Sequence, residues 1–397
     1  MDPVRNPYTP GAGAPPPQLA GRDELLERMR IVLERTRLGR PVRSLLLVGL
    51  RGVGKTVLLD KMCDDAEASA LHTLRLEAPE GRSLPAILAP QLRRALLRLS
   101  LTEQAKELAQ RALRGLAGFA TALKLKYNDI EVGLDFDPEP GLADNGDLEL
   151  DLQALFEISG QAAAGAGTGL ALFIDELQYV DEDQLAALIM ALHRTAQRRL
   201  PLVLVGAGLP QLRGRLGKAK SYAERLFDFS EVGPLPADAA RIAISNPAES
   251  EGESISAKAL DHIVSETQGY PYFLQEWGKQ AWDIAASSPI TIKDVQTASR
   301  SAIAALDEGF FRVRFDRLTL SEKRYLRAMA ELGAGPHRSG SIAEVLARGV
   351  TSLAPLRSQL IAKGMVWSPS HGDTAFTVPL FAGFMQRVMP GDHWKTE

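Results

Sequence analysis

The sequence contains a single cysteine, Cys63, among its 397 residues. One cysteine excludes an internal disulfide and any metal site built from several thiolates, so we expect Cys63 to be a small core residue. Long apolar runs are absent as well. No stretch approaches the length of a membrane-spanning helix, and the N-terminal residues lack the apolar core of a signal peptide. We therefore expect a cytoplasmic protein that does not contact membranes.

Neither sign of charge dominates, since 46 Lys and Arg oppose 49 Asp and Glu for a net charge of -3. This balance excludes attraction of the whole chain to nucleic acid, so any such binding must be local. Hydrophobic residues make up 45% of the chain and charged residues 24%, which are ordinary values for a soluble protein. The length predicts two or three domains, each able to bury its own core.

One glycine-rich stretch, residues 49–56, carries the strongest functional signal. It reads GLRGVGKT and matches the phosphate-binding pattern G-x-x-x-x-G-K-[ST] at every fixed position. The apolar run Ser44–Val48 before it predicts a buried strand, and Val57–Ala70 after it has helical spacing. A chance glycine-rich turn is the alternative, which this context disfavours. We expect phosphate contacts from the loop and the residue after it: Gly49, Leu50, Arg51, Gly52, Val53, Gly54, Lys55, Thr56 and Val57.

An acidic pair, Asp175 and Glu176, follows the apolar run 170–174. At the end of a parallel strand, both carboxylates would emerge at the sheet edge that carries the phosphate loop. We expect Asp175 and the Thr56 hydroxyl to hold Mg²⁺, Lys55 to contact the β- and γ-phosphates, and Glu176 to polarise the attacking water. The alternative is an acidic pair that merely begins a loop.

Alternating strand and helix patterns over residues 19–235 predict an α/β fold with a parallel sheet of the P-loop NTPase type. An insertion of about residues 80–152 interrupts this domain, because the chain there is too long for one crossover. Within it, residues 128–151 contain nine Asp or Glu and no Lys or Arg, which predicts a solvated hairpin or loop.

Three further segments differ in character. Residues 1–18 are rich in proline and glycine and predict a flexible lead-in. Residues 236–306 contain only helical patterns. Residues 310–390 show a helix, a helix-turn-helix and a hairpin, which is the order of a winged helix.

The motifs GLRGVGKT and LALFIDE, the segment LAGRD at residues 19–23, and the helical domain with its Gly-x-Pro at residues 269–271 resemble AAA+ ATPases. The likeness is closest to the STAND and archaeal origin-recognition-type initiator branches, many of which end in a winged helix. It covers about residues 19–390. It implies a helical lid at residues 236–306, ATP and Mg²⁺ as cofactors, and assembly of several copies on ATP binding.

The resemblance also implies further site residues. Gly21 and Arg22 would lie near the adenine, and Pro271 of the lid would lie near the nucleotide. Arg225 would be an arginine finger that reaches the γ-phosphate of a neighbouring copy, with an ordinary exposed helix arginine as the alternative.

Two features of the family are missing from this sequence. The strand 202–206 ends in Gly206-Ala207-Gly208, where relatives usually place a polar residue that orients the attacking water. The segment Gly269-Tyr270-Pro271 lacks the arginine that many lids direct at the γ-phosphate. Both absences favour slow hydrolysis, as in a switch that distinguishes ATP from ADP, and complete loss of hydrolysis is an alternative.

The predicted helix Thr351–Lys363 carries polar groups outside its apolar face, of the kind that contact phosphates and base edges. The candidate DNA contacts, including one in the wing, are Thr351, Ser352, Arg357, Lys363 and His371. Winged helices also bind proteins, so two functions remain open. One is a nucleotide-gated DNA-binding switch in initiation, mobile-element maintenance or defence. The other is a signalling ATPase whose winged helix contacts a partner protein.

Overall fold

The computed structural model describes residues 1–11, 13–130 and 136–395. The chain divides into two compact units. The sheet unit comprises residues 22–49 and 54–232, and the helical unit comprises residues 1–21, residues 50–53 and the chain from residue 233 onward.

The sheet unit is built on five parallel strands. Their bounds are β1 Ser44–Val48, β2 His72–Glu77, β3 Leu170–Asp175, β4 Leu202–Gly208 and β5 Phe227–Glu231. They are ordered β2-β3-β4-β1-β5, so that β4 lies between β1 and β3. Every residue of β1, β3 and β4 is buried, which explains why these runs are almost continuously apolar instead of alternating. The predicted α/β fold with a parallel sheet is confirmed.

Helices connect these strands. Their bounds are α1 Asp23–Arg37, α2 Lys55–Ala68, α3 Leu84–Leu99, α4 Lys106–Leu123, α5 Leu148–Gly165, α6 Glu182–Gln197, α7 Leu212–Ala219 and α8 Ala223–Leu226. The long connection between β2 and β3 contains α3, α4 and α5, whose apolar faces join the core beside the sheet. The sequence did not predict α7, because Gly214 and Gly217 lower its intrinsic helix propensity.

Residues 136–147 of the acidic stretch form a mostly exposed loop, as predicted, but the stretch ends in the first turn of α5, which was not predicted. Asp151 lies within α5 and is fully buried. Its carboxylate accepts hydrogen bonds from Asn145 N at 3.0 Å, Asn145 Nδ2 at 2.8 Å and Gly146 N at 2.9 Å. These bonds fold the preceding turn onto the start of the helix.

Glu139 of the same stretch pairs with two arginines of α4, at 2.7 Å from Arg111 and 3.3 Å from Arg114. A count of charges within the stretch could not reveal these partners, because they lie earlier in the chain. Residues 131–135 of the stretch lie outside the described residues.

The helical unit contains a second set of helices. Its first part comprises α9 Ala237–Ser250, α10 Ala257–Thr267, α11 Pro271–Ile284 and α12 Ile292–Ala305, and a π-helical segment, Leu306–Phe311, leads into α13 Arg312–Asp316. The C-terminal part comprises α14 Leu320–Glu331, β6 His337–Arg338, α15 Ser339–Val345, α16 Val350–Ala362, β7 Val366–Trp367, β8 Asp373–Phe376 and α17 Phe381–Val388. Its three strands form an antiparallel sheet in the order β6-β8-β7, and these elements follow the order of a winged helix.

The proline-rich lead-in, expected to be flexible, is instead held by side-chain contacts in its described part. Tyr8 is only 3% exposed, and its hydroxyl donates to the carbonyl oxygen of Ile244 in α9. Its ring lies so close to Gly278 in α11 that a Cβ there would come within 2.6 Å of it. Asn6 Nδ2 donates to Asp283 Oδ1 at 2.8 Å. A buried aromatic side chain orders this segment, and composition alone does not reveal such a contact.

Among the described residues, no helix combines the length and apolar character needed to cross a membrane. Cys63 is buried in α2 as a free thiol.

Replacement of Asp151 by alanine should lower the free energy of unfolding by about 1–3 kcal/mol, because backbone N–H groups of Asn145 and Gly146 lose their acceptor. Urea denaturation followed by circular dichroism measures the change. Asp137→Ala, an exposed residue of the same stretch, is the control and should change the value by less than about 0.5 kcal/mol. Equal effects of the two substitutions would contradict a structural role for the buried carboxylate.

Candidate nucleotide-binding site

The turn between β1 and α2 requires glycine at its last position. Gly54 adopts φ +88°, a left-handed conformation that strains other residues, and Lys55 begins α2 directly after it. No atom lies within 4 Å of a Cβ built at Gly54, so the backbone conformation and not crowding selects glycine here. The N-terminus of a 14-residue helix therefore opens onto the loop, where its free N–H groups and dipole favour an anion.

Two side chains of the first turn of α2 are held in defined positions. Lys55 is 8% exposed, and its Nζ donates to the carbonyl oxygen of Gly49 at 3.0 Å. Thr56 Oγ1 donates to Asp175 Oδ2 at the end of β3, at 2.7 Å. The phosphate loop and the acidic pair are thus brought together, as their positions in the sequence predict.

The carboxyl group of Asp175 lies in buried surroundings that disfavour a negative charge. It is 3% exposed, and burial raises the pKa of its carboxyl, an effect that the nearby charge of Glu176 strengthens. The hydrogen bond from Thr56 and the Arg75 guanidinium, with Nη2 3.7 Å from Asp175 Oδ2, act in the opposite direction. A carboxylate and a hydroxyl oxygen in contact are hard donors of the kind that Mg²⁺ prefers, so Asp175 and Thr56 fit this ion.

Glu176 has a backbone conformation that is rare for its residue type. Its φ is +54°, in the left-handed region, and its backbone N donates to Asp175 Oδ1 at 2.8 Å. Strain of this kind occurs often at functional sites, where the surrounding structure maintains it. The side chain is partly exposed, and its Oε2 accepts a hydrogen bond from Gln178 Nε2. Sequence reasoning missed Gln178, which stands among apolar residues as an isolated amide.

The polar residue that β4 lacks could not be accommodated in this packing. A Cβ at Gly206 would lie 2.3 Å from Leu177 Cδ1 and 2.6 Å from Leu46 Cδ2. Any side chain there would require these core residues to move. The glycine is therefore fixed by the leucines on both sides of it.

Residues 50–53 of the loop belong to the helical unit. Arg51 N donates to the carbonyl oxygen of Thr377, one residue after β8, at 3.2 Å. Tyr272 N, in the first turn of α11, donates to the carbonyl oxygen of Gly52 at 3.3 Å. The middle of the loop is thus hydrogen-bonded to residues 310–390, predicted as a winged helix (the winged-helix segment), and to residues 236–306, predicted as the lid.

Five other predicted site residues remain predictions. Gly21 and Pro271 belong to the helical unit and Arg22 to the sheet unit, and their contacts with the nucleotide stay expectations of the resemblance. Val57, in the first turn of α2, is partly exposed. Arg225 is exposed in the short helix α8, and it takes part in none of the ion pairs found among the described residues.

Two of the predicted DNA contacts are engaged inside the winged-helix segment. The Arg357 guanidinium donates to Thr374 Oγ1 at 2.7 Å, to Ser368 Oγ at 2.8 Å and to the Asp373 carbonyl oxygen at 2.7 Å. Arg357 therefore fixes the wing hairpin to α16.

Lys363 Nζ contacts Glu322 Oε2 at 2.8 Å, and this Glu322 side chain is only 1% exposed. The Lys363 partner and backbone N–H and hydroxyl donors of Thr319 lower the pKa of Glu322, although burial opposes this. The lysine thus neutralises a carboxylate that also caps α14.

The remaining candidate DNA contacts lie on the surface of the helical unit. Thr351 and Ser352 are exposed in the first turn of α16, and His371 is exposed in the wing. Three arginines that sequence reasoning did not single out are exposed between residues 320 and 390. They are Arg338, whose side chain is 72% exposed and pairs with Asp373 at 3.1 Å, Arg348, which precedes α16, and Arg387, which pairs with Asp307 at 2.6 Å.

Two family models match the chain. Residues 18–205 match an AAA ATPase domain, and residues 308–385 match a domain of unknown function, DUF8462. No curated protein sequence matches the chain.

Solved structures with a similar fold exist. The Walker-type ATPase PABY2304 of Pyrococcus abyssi is 17% identical with a TM-score of 0.57, and the match covers 93% of this chain and 96% of that one. Cdc6p of Pyrobaculum aerophilum is 16% identical with a TM-score of 0.46, covering 98% of each chain. The RuvB Holliday junction branch migration motor of Thermotoga maritima is 15% identical with a TM-score of 0.44, covering 90% of this chain and 92% of that one. The first of these shows a shared fold.

Replacement of Asp175 by asparagine should stabilise the protein in the absence of nucleotide. Because burial raises the pKa of Asp175, its ionisation costs stability as the pH rises above the usual range of an aspartate. At pH 7.5 the Asn variant should melt about 2–4 °C higher, the shift that roughly 1 kcal/mol produces in a unit of this size, and the difference should vanish at acid pH. Asn can retain both hydrogen bonds, since the Thr56 hydroxyl also accepts.

The same variant should lose the rise in melting temperature that Mg²⁺ and ATP produce in the wild type. Asp64→Asn, an exposed aspartate of α2, is the control and should behave as the wild type does. A lower melting temperature of the nucleotide-free Asp175→Asn protein would contradict the electrostatic argument.

Proposed function

We propose, from the match of residues 18–205 to an AAA ATPase domain, that the chain is a slowly hydrolysing ATPase that acts as a nucleotide-gated DNA-binding switch. The observation that carries the nucleotide part is the contact between Thr56 and Asp175 at 2.7 Å, next to a helix N-terminus that begins with Lys55. These are the groups that a bound nucleoside triphosphate and its Mg²⁺ require.

Each residue then has a defined role. The N–H groups at the start of α2 bind phosphate oxygens, and Lys55 adds a positive charge beside them. Thr56 and Asp175 hold Mg²⁺, which neutralises charge on the phosphates. Glu176 accepts a hydrogen bond from the attacking water and orients it. Arg225 completes the site of a neighbouring copy, as the resemblance to AAA+ ATPases implies.

Slow turnover is supported by the glycine at residue 206 and by the absence of arginine from α11. A site without these two groups stabilises the developing charge of the transition state less and orients the attacking water less well. ATP is then held for long periods and is converted to ADP and phosphate by rare hydrolysis, as a switch requires.

Control of DNA binding by the nucleotide is supported by the hydrogen bonds that residues 50–53 of the phosphate loop make within the helical unit. Arg51 N donates to the Thr377 carbonyl oxygen, and Gly52 accepts from Tyr272 N. A nucleotide that reorders the loop changes both bonds, and one of them ends beside β8 of the winged-helix segment. The nucleotide state can thus bias the winged helix without a separate effector site.

DNA is the proposed target of the exposed polar groups of this segment. Arg338, Arg348 and His371 are exposed there, together with Thr351 and Ser352 at the start of α16. Cations beside a helix N-terminus suit contacts with the phosphate backbone. Because the exposed cations are few, binding depends on few phosphates and should have a shallow salt dependence.

The second candidate function is a signalling ATPase whose winged helix binds a partner protein. The internal engagement of Arg357 and Lys363 favours it, because their hydrogen bonds to protein groups compete with contacts to phosphates. The DNA-binding experiment below distinguishes the two functions.

Wild-type protein should bind ATP and release phosphate slowly. Lys55→Ala should lose nucleotide binding, whereas Glu176→Gln should bind ATP normally and lower the rate of phosphate release by about 10²–10⁴-fold. Binding of a fluorescent ATP analogue and phosphate release are the measurements. A Glu176→Gln protein that hydrolyses as fast as the wild type would exclude this glutamate as the group that activates water.

DNA binding by the full-length protein should differ between ATP and ADP, and Lys55→Ala should abolish the difference. Arg348→Ala should weaken binding and reduce the slope of log affinity against log salt by about one. Arg40→Ala, an exposed arginine of the sheet unit, is the matched control and should leave both quantities unchanged. Absence of binding in either nucleotide state would favour the protein-binding alternative.

A further inference from the structure

A glutamine links Glu176 to the end of β4. Gln178 lies in the single 3₁₀ turn Leu177–Tyr179 and is 4% exposed. Its Nε2 donates to Glu176 Oε2, and its Oε1 accepts from Leu209 N at 3.0 Å. Both the nitrogen and the oxygen of this buried amide are therefore hydrogen-bonded.

The orientation of the amide follows from these partners. Leu209 N can only donate, so the oxygen of the Gln178 amide must face it and the nitrogen must face Glu176. The approach is close, because a Cβ at Gly208 would lie 2.9 Å from Gln178 Oε1. A glycine at residue 208 is thus what allows the amide to reach the strand.

The backbone around Gln178 is fixed as well. Arg215 of α7 donates to the carbonyl oxygen of Gln178 and, at 2.7 Å, to that of Val180. The turn after the acidic pair is therefore tied to the helix that follows β4. Neither the side chain nor the backbone of Gln178 is free to turn away from Glu176.

β4 lies between the strands that carry the phosphate loop and the acidic pair, and Gly206 cannot bear a polar side chain there. We propose that Gln178 is the positioning residue that replaces such a side chain. Anchored to Leu209, it holds one carboxylate oxygen of Glu176 so that the other polarises the attacking water. This inference rests on the proposed function, since it requires that the chain hydrolyse ATP.

The reaction that Glu176 assists is ordinary hydrolysis. The water oxygen forms a bond to the γ-phosphorus as the bond from that phosphorus to the β–γ bridging oxygen breaks. The water proton passes by way of Glu176 Oε1 to the released phosphate, so the products are ADP and phosphate and the carboxylate is regenerated. Gln178 exchanges no proton in this step and acts only through its hydrogen bond to Oε2.

Gln178→Glu tests this role in the full-length protein. The new carboxylate still accepts from Leu209 N, but it cannot donate to Glu176 and repels it. We expect kcat for ATP hydrolysis to fall about 10- to 100-fold, less than the 10²–10⁴-fold that a general base itself contributes. KM for ATP and the affinity for ADP should change less than about twofold, because Gln178 contacts no phosphate-binding residue.

Gln184→Glu is the matched control. Gln184 is 3% exposed, accepts from Leu84 N at 2.6 Å and donates to Asp181 Oδ2 at 3.1 Å. The same substitution therefore removes a donor and adds a charge beside a carboxylate, away from Glu176. It should leave kcat unchanged. A second variant, Gln178→Met, carries the test if Gln178→Glu does not fold.

A double-mutant comparison separates positioning from a general structural effect. In the Glu176→Gln background, Gln178→Glu should cause no further loss of kcat, because the group that it positions is already gone. An unchanged kcat of folded Gln178→Glu, equal losses in Gln178→Glu and Gln184→Glu, or a full additional loss in the double variant would each overturn the inference. If the wild type itself fails to hydrolyse ATP, the proposed hydrolysis fails and the inference fails with it, whereas normal hydrolysis in Gln178→Glu defeats the inference alone.

Discussion

The candidate nucleotide site depends on the hydrogen bond from Thr56 to Asp175, which joins residues 119 positions apart in the sequence. Its two ends belong to the first turn of α2 and to the end of β3, and β4 lies between the strands that position them. The bond therefore requires the correct register twice: Leu45 of β1 and Phe173 of β3 must both pair with Val205. A slip by one residue would move a strand end by about 3.3 Å, more than a hydrogen bond tolerates.

The same register crowds the end of β4. Leu46 and Leu177 fill the space above Gly206, and Gln178 fills the space beside Gly208. Dense packing of this kind stabilises the sheet but leaves no room for a side chain at residue 206 or 208. The nearest polar side chains are those of the neighbouring turn, where the strained backbone of Glu176 shows that geometry is held against local preference.

Much of the fold and of the candidate site could be predicted from the sequence, because the phosphate loop and the strands have strong local sequence patterns. The pattern GLRGVGKT fixes a strand, a turn and a helix, and β1 has the predicted bounds. Helices whose residues have a weak intrinsic helix preference were harder to predict. Of these, α7 contains two glycines, and α5 begins inside the acidic stretch. Buried polar groups such as Asp151 and Gln178 could not be predicted, since their partners are set by tertiary packing and not by neighbours in the sequence.

The winged-helix segment shows why a count of charges says little about a partner. Its cations include Arg357, which fixes the wing, and Lys363, which neutralises the buried Glu322. Both stabilise the domain, and their hydrogen bonds to protein groups compete with contacts to phosphates. The few cations left exposed would give one copy only weak affinity for DNA. Several copies assembled on one DNA would add their contacts at a high effective concentration. Under the proposed function, ATP-dependent assembly would therefore do more to strengthen DNA binding than any rearrangement within residues 310–390 of a single copy.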